Sequence, residues 1–109
     1  MALKNFDLIA ERAKELSNPM RVVIAGADAE NILLGAFRAQ DAGFVSPVLV
    51  GDPNKVEPML ERLGLKEKPH RMVAIRPDES PAQRAVDLVN QGEGDVLMRG
   101  NTQTREVLL

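Results

Sequence analysis

The chain has 109 residues, three Phe, no Tyr, Trp or Cys, and a formal net charge of −2 at pH 7. This length predicts one domain, and the absence of cysteine excludes disulfides, thiolate metal sites and a cysteine nucleophile. The small net charge and scarce aromatic rings disfavour nucleic acid and anionic membranes as partners. Because no apolar run has the length of a membrane span and residues 1–16 lack the apolar block of a signal peptide, we expect a cytoplasmic protein.

Helical and extended segments are predicted to alternate along the chain. An opening helix carries Phe6, Ile9, Ala13 and Leu16 on one face and ends at Ser17-Asn18-Pro19. Continuous apolar runs then recur at intervals of about 25 residues, the size of one βα unit. These runs, which predict parallel strands covered on both faces, are residues 21–25, 47–50, 71–75 and 95–98.

The segments between the strands have helical spacing. Their apolar faces consist of Ile32, Leu33, Ala36 and Ala39, then Val56, Met59, Leu60 and Leu63, then Ala82, Ala85, Val86 and Val89. Asp52-Pro53 and Ser80-Pro81 predict helix starts, the second with the capping-box spacing to Gln83. The expected helix ends are Gly43, Gly64 and Gly92. Residues 1–109 therefore predict a single α/β domain, a three-layer α/β/α open parallel sheet in the order α-β-α-β-α-β-α-β-α.

Ligands bind such sheets where strands end and helices begin. After the first strand, Gly26 alone does not make the glycine-rich dinucleotide fingerprint, and we interpret Asp28 as a helix cap. After the second, Gly51 permits close approach of a ligand, although a turn and a cap explain it better. After the third, Asp78 and Glu79 are interpreted as solvated residues near a helix start, and no metal site is predicted.

The loop after the fourth strand has the composition of an anion site. Its arginines offer bidentate partners for phosphate, its glycine admits close approach, and the N–H groups of the following helix add donors. The candidate residues are Arg99, Gly100, Asn101, Thr102, Gln103, Thr104 and Arg105. From residue types alone, a polar loop with a threonine cap and surface arginines is an equal alternative. The lone His70 is interpreted as a surface loop residue.

Three stretches resemble the phosphate acetyltransferase and phosphate butyryltransferase family. Pro47-Val48-Leu49-Val50-Gly51-Asp52 is similar to its P-I-L-V-G-D strand and turn. Ala85-Val86-Asp87-Leu88-Val89, with Gly94-Asp95-Val96-Leu97-Met98, is similar to its A-V-x-L-V and D-V-L-M helix and strand. Arg99-Gly100 followed by Thr102 and Thr104 resembles the M-K-G-x-V-x-T loop of the butyryltransferase branch, with Arg99 where lysine is usual. The run from Gln103 to Glu106 departs from the family pattern.

The resemblance covers nearly the whole chain and implies the amino-terminal portion of a two-domain enzyme with an isocitrate/isopropylmalate dehydrogenase-like fold. Leu108 and Leu109 end the sequence without a helix stop signal, which fits that expectation. The implied reaction is acyl-CoA + phosphate ⇌ acyl phosphate + CoA in an interdomain cleft, with coenzyme A as a substrate and no covalently bound cofactor. This chain would supply the phosphate wall from Arg99, Gly100, Asn101, Thr102 and Thr104, with Gly51, Gln103 and Arg105 as possible additions. Catalytic residues are not assigned within it.

The resemblance also implies small-molecule partners, namely acyl-CoA, phosphate and acyl phosphate, and a homo-oligomer. Three alternatives remain at the level of sequence. The chain could be a non-catalytic, self-associating α/β module, because an isolated portion of an enzyme exposes apolar surface. It could be a nucleotide-binding domain, although the glycine fingerprint is absent. It could also belong to a related phosphate-handling enzyme, such as a lipid-synthesis phosphate acyltransferase or a decarboxylating dehydrogenase.

Overall fold

The computed structural model describes residues 9, 11–15, 18–76 and 78–100. Residues 9 and 11–15 are helical. Strands and helices then alternate in the order β1 (Met20–Ala25), α1 (Glu30–Asp41), β2 (Val45–Gly51), α2 (Pro53–Arg62), β3 (Arg71–Ala74), α3 (Pro81–Asn90) and β4 (Val96–Arg99). This alternation confirms the predicted order as far as β4. The helix predicted after β4 lies outside the described residues, as do Phe6 and Leu16.

The strands form one parallel sheet in the order β3-β2-β1-β4. In the central register, Val23 of β1 lies between Val48 of β2 and Leu97 of β4. The chain moves outward from β1 through β2 to β3 and then crosses back to place β4 on the free side of β1. The predicted open parallel α/β sheet is therefore confirmed, and its strand order reverses between β1 and β4.

Helices cover both faces of the sheet. On one face, α1 and α2 pack on β1 and β2 together with Ile9 and Ala13 of the opening helix. On the other face, α3 packs its buried Ala85 and Leu88 against the sheet. The fully buried side chains of the two layers include Val22, Val23, Ile24, Leu33, Phe37, Leu49, Val50, Val56, Leu60 and Leu88. Since burial of each such side chain contributes about 1.5–3 kcal/mol, these layers are the main source of stability.

Two of the predicted helix starts are confirmed. The Asp52 side chain accepts a hydrogen bond from the backbone N–H of Asn54 at 2.9 Å. Ser80 accepts one from the backbone N–H of Gln83 at 3.3 Å. The Gln83 side chain donates to Asp87 at 3.0 Å, so it is engaged along the helix instead of completing a capping box. Gly43, Gly64 and Gly92 follow the three helices with φ of +86°, +72° and +80°, which confirms the predicted helix ends.

The start of α1 differs from the prediction. Ala29, not Asp28, is the N-cap residue, and the helix begins at Glu30. The reason is tertiary, because the backbone N–H of Ala27 still donates to the carbonyl of Val50 at 3.0 Å. This bond ties the segment after β1 to β2, and Ala29 is still extended, so the helix begins only at Glu30. The interpretation of Asp28 as the helix cap is therefore wrong.

His70 is a loop residue, as predicted, and its ring makes a packing contact that the sequence did not indicate. It lies in the connection between α2 and β3, as expected, but it is half-buried. Its ring meets Phe37 edge-on, with 5.9 Å between centroids, and its Nδ1 lies 2.7 Å from the carbonyl oxygen of Lys68. The ring therefore extends the packing around the end of α1, because Phe37 presents an aromatic face there.

Arg21 and Asp95 join the amino ends of β1 and β4. Asp95 accepts hydrogen bonds from the backbone N–H of Arg21 at 2.8 Å and from its guanidinium at 3.2 and 3.1 Å. The side-chain bond with Arg21, followed by the backbone bond, lowers the pKa of Asp95. In return, the hydrogen bond and charge of Asp95 raise the pKa of Arg21. This pair fixes the amino end of β4 against β1.

Candidate functional site

The strand order places the candidate site at the carboxyl ends of β1 and β4. In an open parallel sheet, the crevice for ligands lies where the strand order reverses. Arg99, the last residue of β4, pairs in register with Ala25, the last residue of β1. The segment from Gly26 to Ala29 leaves β1 at this point and leads into α1. The described part of the predicted anion loop therefore lies beside the loop that follows β1.

The structure places some of the predicted site residues. Arg99 is exposed at the end of β4, and the half-buried Gly100 follows it directly. Gly51 is the buried last residue of β2, on the far side of β1 from β4. The remaining predicted residues, Asn101, Thr102, Gln103, Thr104 and Arg105, lie outside the described residues. Arg99 and Gly100 thus reach the crevice, while Gly51 lies one strand away.

Gly100 is in very close contact with the end of β1. Its backbone N–H donates to the carbonyl oxygen of Ala25 at 2.7 Å. A Cβ atom built on Gly100 would lie only 2.2 Å from the carbonyl oxygen of Gly26 and 3.3 Å from that of Ala25. The small size of Gly100 therefore permits an approach to the chain's own backbone. The predicted approach of a ligand to the same glycine stays a prediction.

Gly26 was not assigned a site role from sequence, yet it is central to this arrangement. Its φ is +74°, a left-handed conformation that glycine adopts without a Cβ penalty, and its N–H donates to the carbonyl of Val50 at 2.9 Å. On the β2 side, a Cβ built on Gly51 would lie 3.3 Å from the backbone nitrogen of Ala27. Three glycines thus bring the ends of β2, β1 and β4 together. The signal that could have identified Gly26 is a glycine directly after a buried strand.

The charges around the crevice are of both signs. Glu30 opens α1, and its carboxylate forms an ion pair with Arg62 of α2 at 2.9 Å. Asp28 is half-buried in the segment before α1. Arg99 brings a guanidinium to the same edge of the sheet, and arginine is the side chain best suited to bidentate contacts with phosphate. The pairing of Glu30 with Arg62 reduces the repulsion that this carboxylate would exert on an anion.

Within residues 9, 11–15, 18–76 and 78–100, no three His, Asp or Glu side chains are grouped so that they could hold one metal ion. Among the helices of these same residues, none combines the length and apolar character needed to cross a membrane.

Comparison with known proteins gives a consistent set of relatives. No protein-family model matches the chain. A phosphate butyryltransferase of Clostridium beijerinckii is 29% identical over 105 residues, which is 96% of this chain and 34% of that protein. A phosphate acetyltransferase of Rickettsia felis is 27% identical over 107 residues, covering 98% of this chain and 30% of the relative. One of Thermotoga maritima is 26% identical over 88 residues, with 81% and 30% covered.

The chain is similar to phosphate acyltransferases. The resemblance inferred from sequence is thereby confirmed for both the acetyl and the butyryl branch. The similarity is partial, since the chain spans about a third of the length of the curated relatives it matches.

Proposed function

We propose that this chain is one portion of a two-domain phosphate acyltransferase and supplies the phosphate wall of its active-site cleft. The reaction is acyl-CoA + phosphate ⇌ acyl phosphate + CoA, with coenzyme A as a substrate. The observation that carries the proposal is the position of Arg99. In a chain similar to phosphate acetyl- and butyryltransferases over 81–98% of its length, Arg99 ends β4 where the strand order reverses.

The chemistry calls for positive charge at this place. In the direction of thioester synthesis, the coenzyme A sulfur attacks the acyl-phosphate carbonyl carbon, the C–S bond forms, and the C–O bond to phosphate breaks. Negative charge grows on the departing phosphate, so a fixed cation beside it stabilises the transition state more than the ground state. In the reverse direction the same cation orients the attacking phosphate oxygen. Arg99 is the described cation at the end of β4, and Asn101, Thr102 and Thr104 are proposed to add donors.

The test is steady-state kinetics of the full-length protein with butyryl-CoA or acetyl-CoA and inorganic phosphate. Arg99→Ala is expected to lower kcat/KM for phosphate by about 10²-fold, the size of effect seen when one transition-state hydrogen-bond donor is removed. Arg99→Lys keeps the charge but loses the bidentate geometry, so it is expected to retain an intermediate value.

Arg38→Ala is the matched control. Arg38 is an exposed arginine in the last turn of α1, at the opposite end of the sheet from the crevice. Its removal changes the net charge by the same amount and is expected to leave the phosphate KM unchanged. Equal effects of Arg99→Ala and Arg38→Ala, or no turnover by the wild-type protein with either acyl-CoA, would refute the proposed function.

A further inference from the structure

We propose that Gly26 and Gly100 are positioning residues for the phosphate wall. Their backbone contact fixes the end of β4 against β1, and so determines where Arg99 meets phosphate. This inference rests on the proposed function. It gives Gly26 a role that the sequence did not suggest, and it adds contact with β1 to the role predicted for Gly100.

Gly100 is constrained by the backbone at the end of β1. Its N–H is bonded to Ala25 at 2.7 Å, while the carbonyl of Gly26 occupies the place that a Cβ would take, at 2.2 Å. Real Cβ atoms essentially never lie within 3.0 Å of such an atom. Any side chain at position 100 must therefore push the end of β4 away from β1, or break the bond to Ala25.

Gly26 supplies the other side of the contact, and its own backbone is constrained as well. Its φ of +74° and its hydrogen bond to Val50 hold the backbone in a left-handed turn at the end of β1. A residue with a Cβ pays a penalty in this conformation and is driven toward negative φ. Such a change would rotate the carbonyl against which Gly100 rests. The two glycines therefore act on the same contact from opposite sides.

The contact between Gly26 and Gly100 also bears on the binding of phosphate. Arg99 precedes Gly100 directly, so movement of Gly100 moves the backbone that carries the guanidinium. Relief of the overlap requires a displacement of about 1 Å, and misplacement by 1 Å of a group that positions substrate can cost on the order of 10²-fold in rate. Arg99 contacts phosphate in the proposed function. Its displacement should therefore raise the KM for phosphate and leave the KM for the acyl-CoA substrate nearly unchanged.

Gly94, at the other end of β4, provides a control. It lies just before β4, at the amino end of the sheet, and a Cβ built on it would also meet an atom at 2.2 Å, the Cγ2 of Val23. Gly94→Ala therefore introduces an overlap at the same distance, with a side-chain atom instead of a backbone atom, at the opposite end of β4 from the crevice. A purely structural role for Gly100 predicts that the two substitutions have similar effects.

The experiment measures kcat and the KM values for phosphate and butyryl-CoA in the full-length wild-type protein and in Gly100→Ala, Gly26→Ala and Gly94→Ala. All are assayed at a temperature where circular dichroism shows each to be folded. We expect Gly100→Ala and Gly26→Ala to raise the phosphate KM by about tenfold or more, with less than about threefold change in the butyryl-CoA KM. Gly94→Ala is expected to leave both KM values within about twofold of wild type.

Two outcomes would overturn the inference while leaving the proposed function intact. One is an active wild type in which Gly100→Ala and Gly94→Ala shift the phosphate KM equally. The other outcome applies if Gly100→Ala does not fold. In that case the folded variant Gly26→Ala, which disturbs the same contact from the β1 side, is measured, and an unchanged phosphate KM would overturn the inference. A wild type without turnover would instead refute the proposed function and the inference with it.

Discussion

Substitution of Gly94 by alanine tests the packing of β4 against the core. Gly94 is buried, and an added Cβ would lie 2.2 Å from Cγ2 of Val23 and 3.6 Å from Cγ2 of Val89. The first distance is more than 1 Å short of ordinary contact, which begins at 3.4 Å. Val23 is fully buried and, being β-branched, has few alternative rotamers, so the backbone must give way. We expect Gly94→Ala to lower the free energy of unfolding by about 1–3 kcal/mol, the usual cost of overpacking.

A double-mutant cycle measured by urea unfolding checks the cause. Val23→Ala alone removes two methyl groups from the core and is expected to cost about 2–3 kcal/mol through lost burial and a cavity. It also removes the atom that the new Cβ would meet. In the Val23→Ala background, Gly94→Ala should therefore cost at least about 1 kcal/mol less than in wild type. If Gly94→Ala costs the same in both backgrounds, the overlap with Val23 is not the source of the loss and the reasoning fails.

Three further predictions concern stability. Asp52→Ala removes the cap at the Asn54 N–H and is expected to cost about 1 kcal/mol in urea unfolding; a neutral result would mean that water replaces the cap. Phe37→Ala removes a fully buried ring and its contact with His70 and should cost about 3–5 kcal/mol by the same method, whereas a loss below about 1 kcal/mol would contradict its place in the core. Because pairing with Arg21 lowers the pKa of Asp95 in the folded protein, this pair stabilises the fold fully above the pKa of an unfolded Asp, about 3.9. The stabilisation is lost as the pH falls from there through the lower pKa of the folded state. The Tm of wild type should therefore exceed that of Asp95→Asn at pH 7 and approach it at lower pH, and a pH-independent difference would refute this assignment.

Features governed by local chemistry followed from the sequence. The apolar runs became parallel strands because each is continuous and separated from the next by a helix-length segment. Asp52 and Ser80 start helices because their side chains reach an N–H only two or three residues ahead. Gly64 ends a helix because glycine adopts, on its own, the left-handed conformation that closes a helix. The two caps and the helix end are each decided within one turn of chain.

The sequence did not reveal contacts with distant segments, and in one case such a contact made a prediction wrong. Asp28 has the residue type of a cap, yet α1 begins later because Ala27 is bonded to Val50 in β2. His70 lies in a charged connection, yet its ring packs on Phe37, which belongs to α1. Neither partner lies near its residue in the sequence, so local patterns contain no information about the contact.

Some features of the candidate site likewise follow from the sequence, and others only from the fold. The sequence by itself determined that a glycine-containing loop with arginines follows a buried strand, because composition and spacing express those features directly. Only the tertiary structure decided that β4 lies beside β1, that Arg99 lies at the point of strand reversal, and that Gly100 contacts Gly26. Strand order depends on how helices α1 to α3 together cover the two faces of the sheet. That coverage is a property of the whole packed core, so no single segment of the sequence contains it.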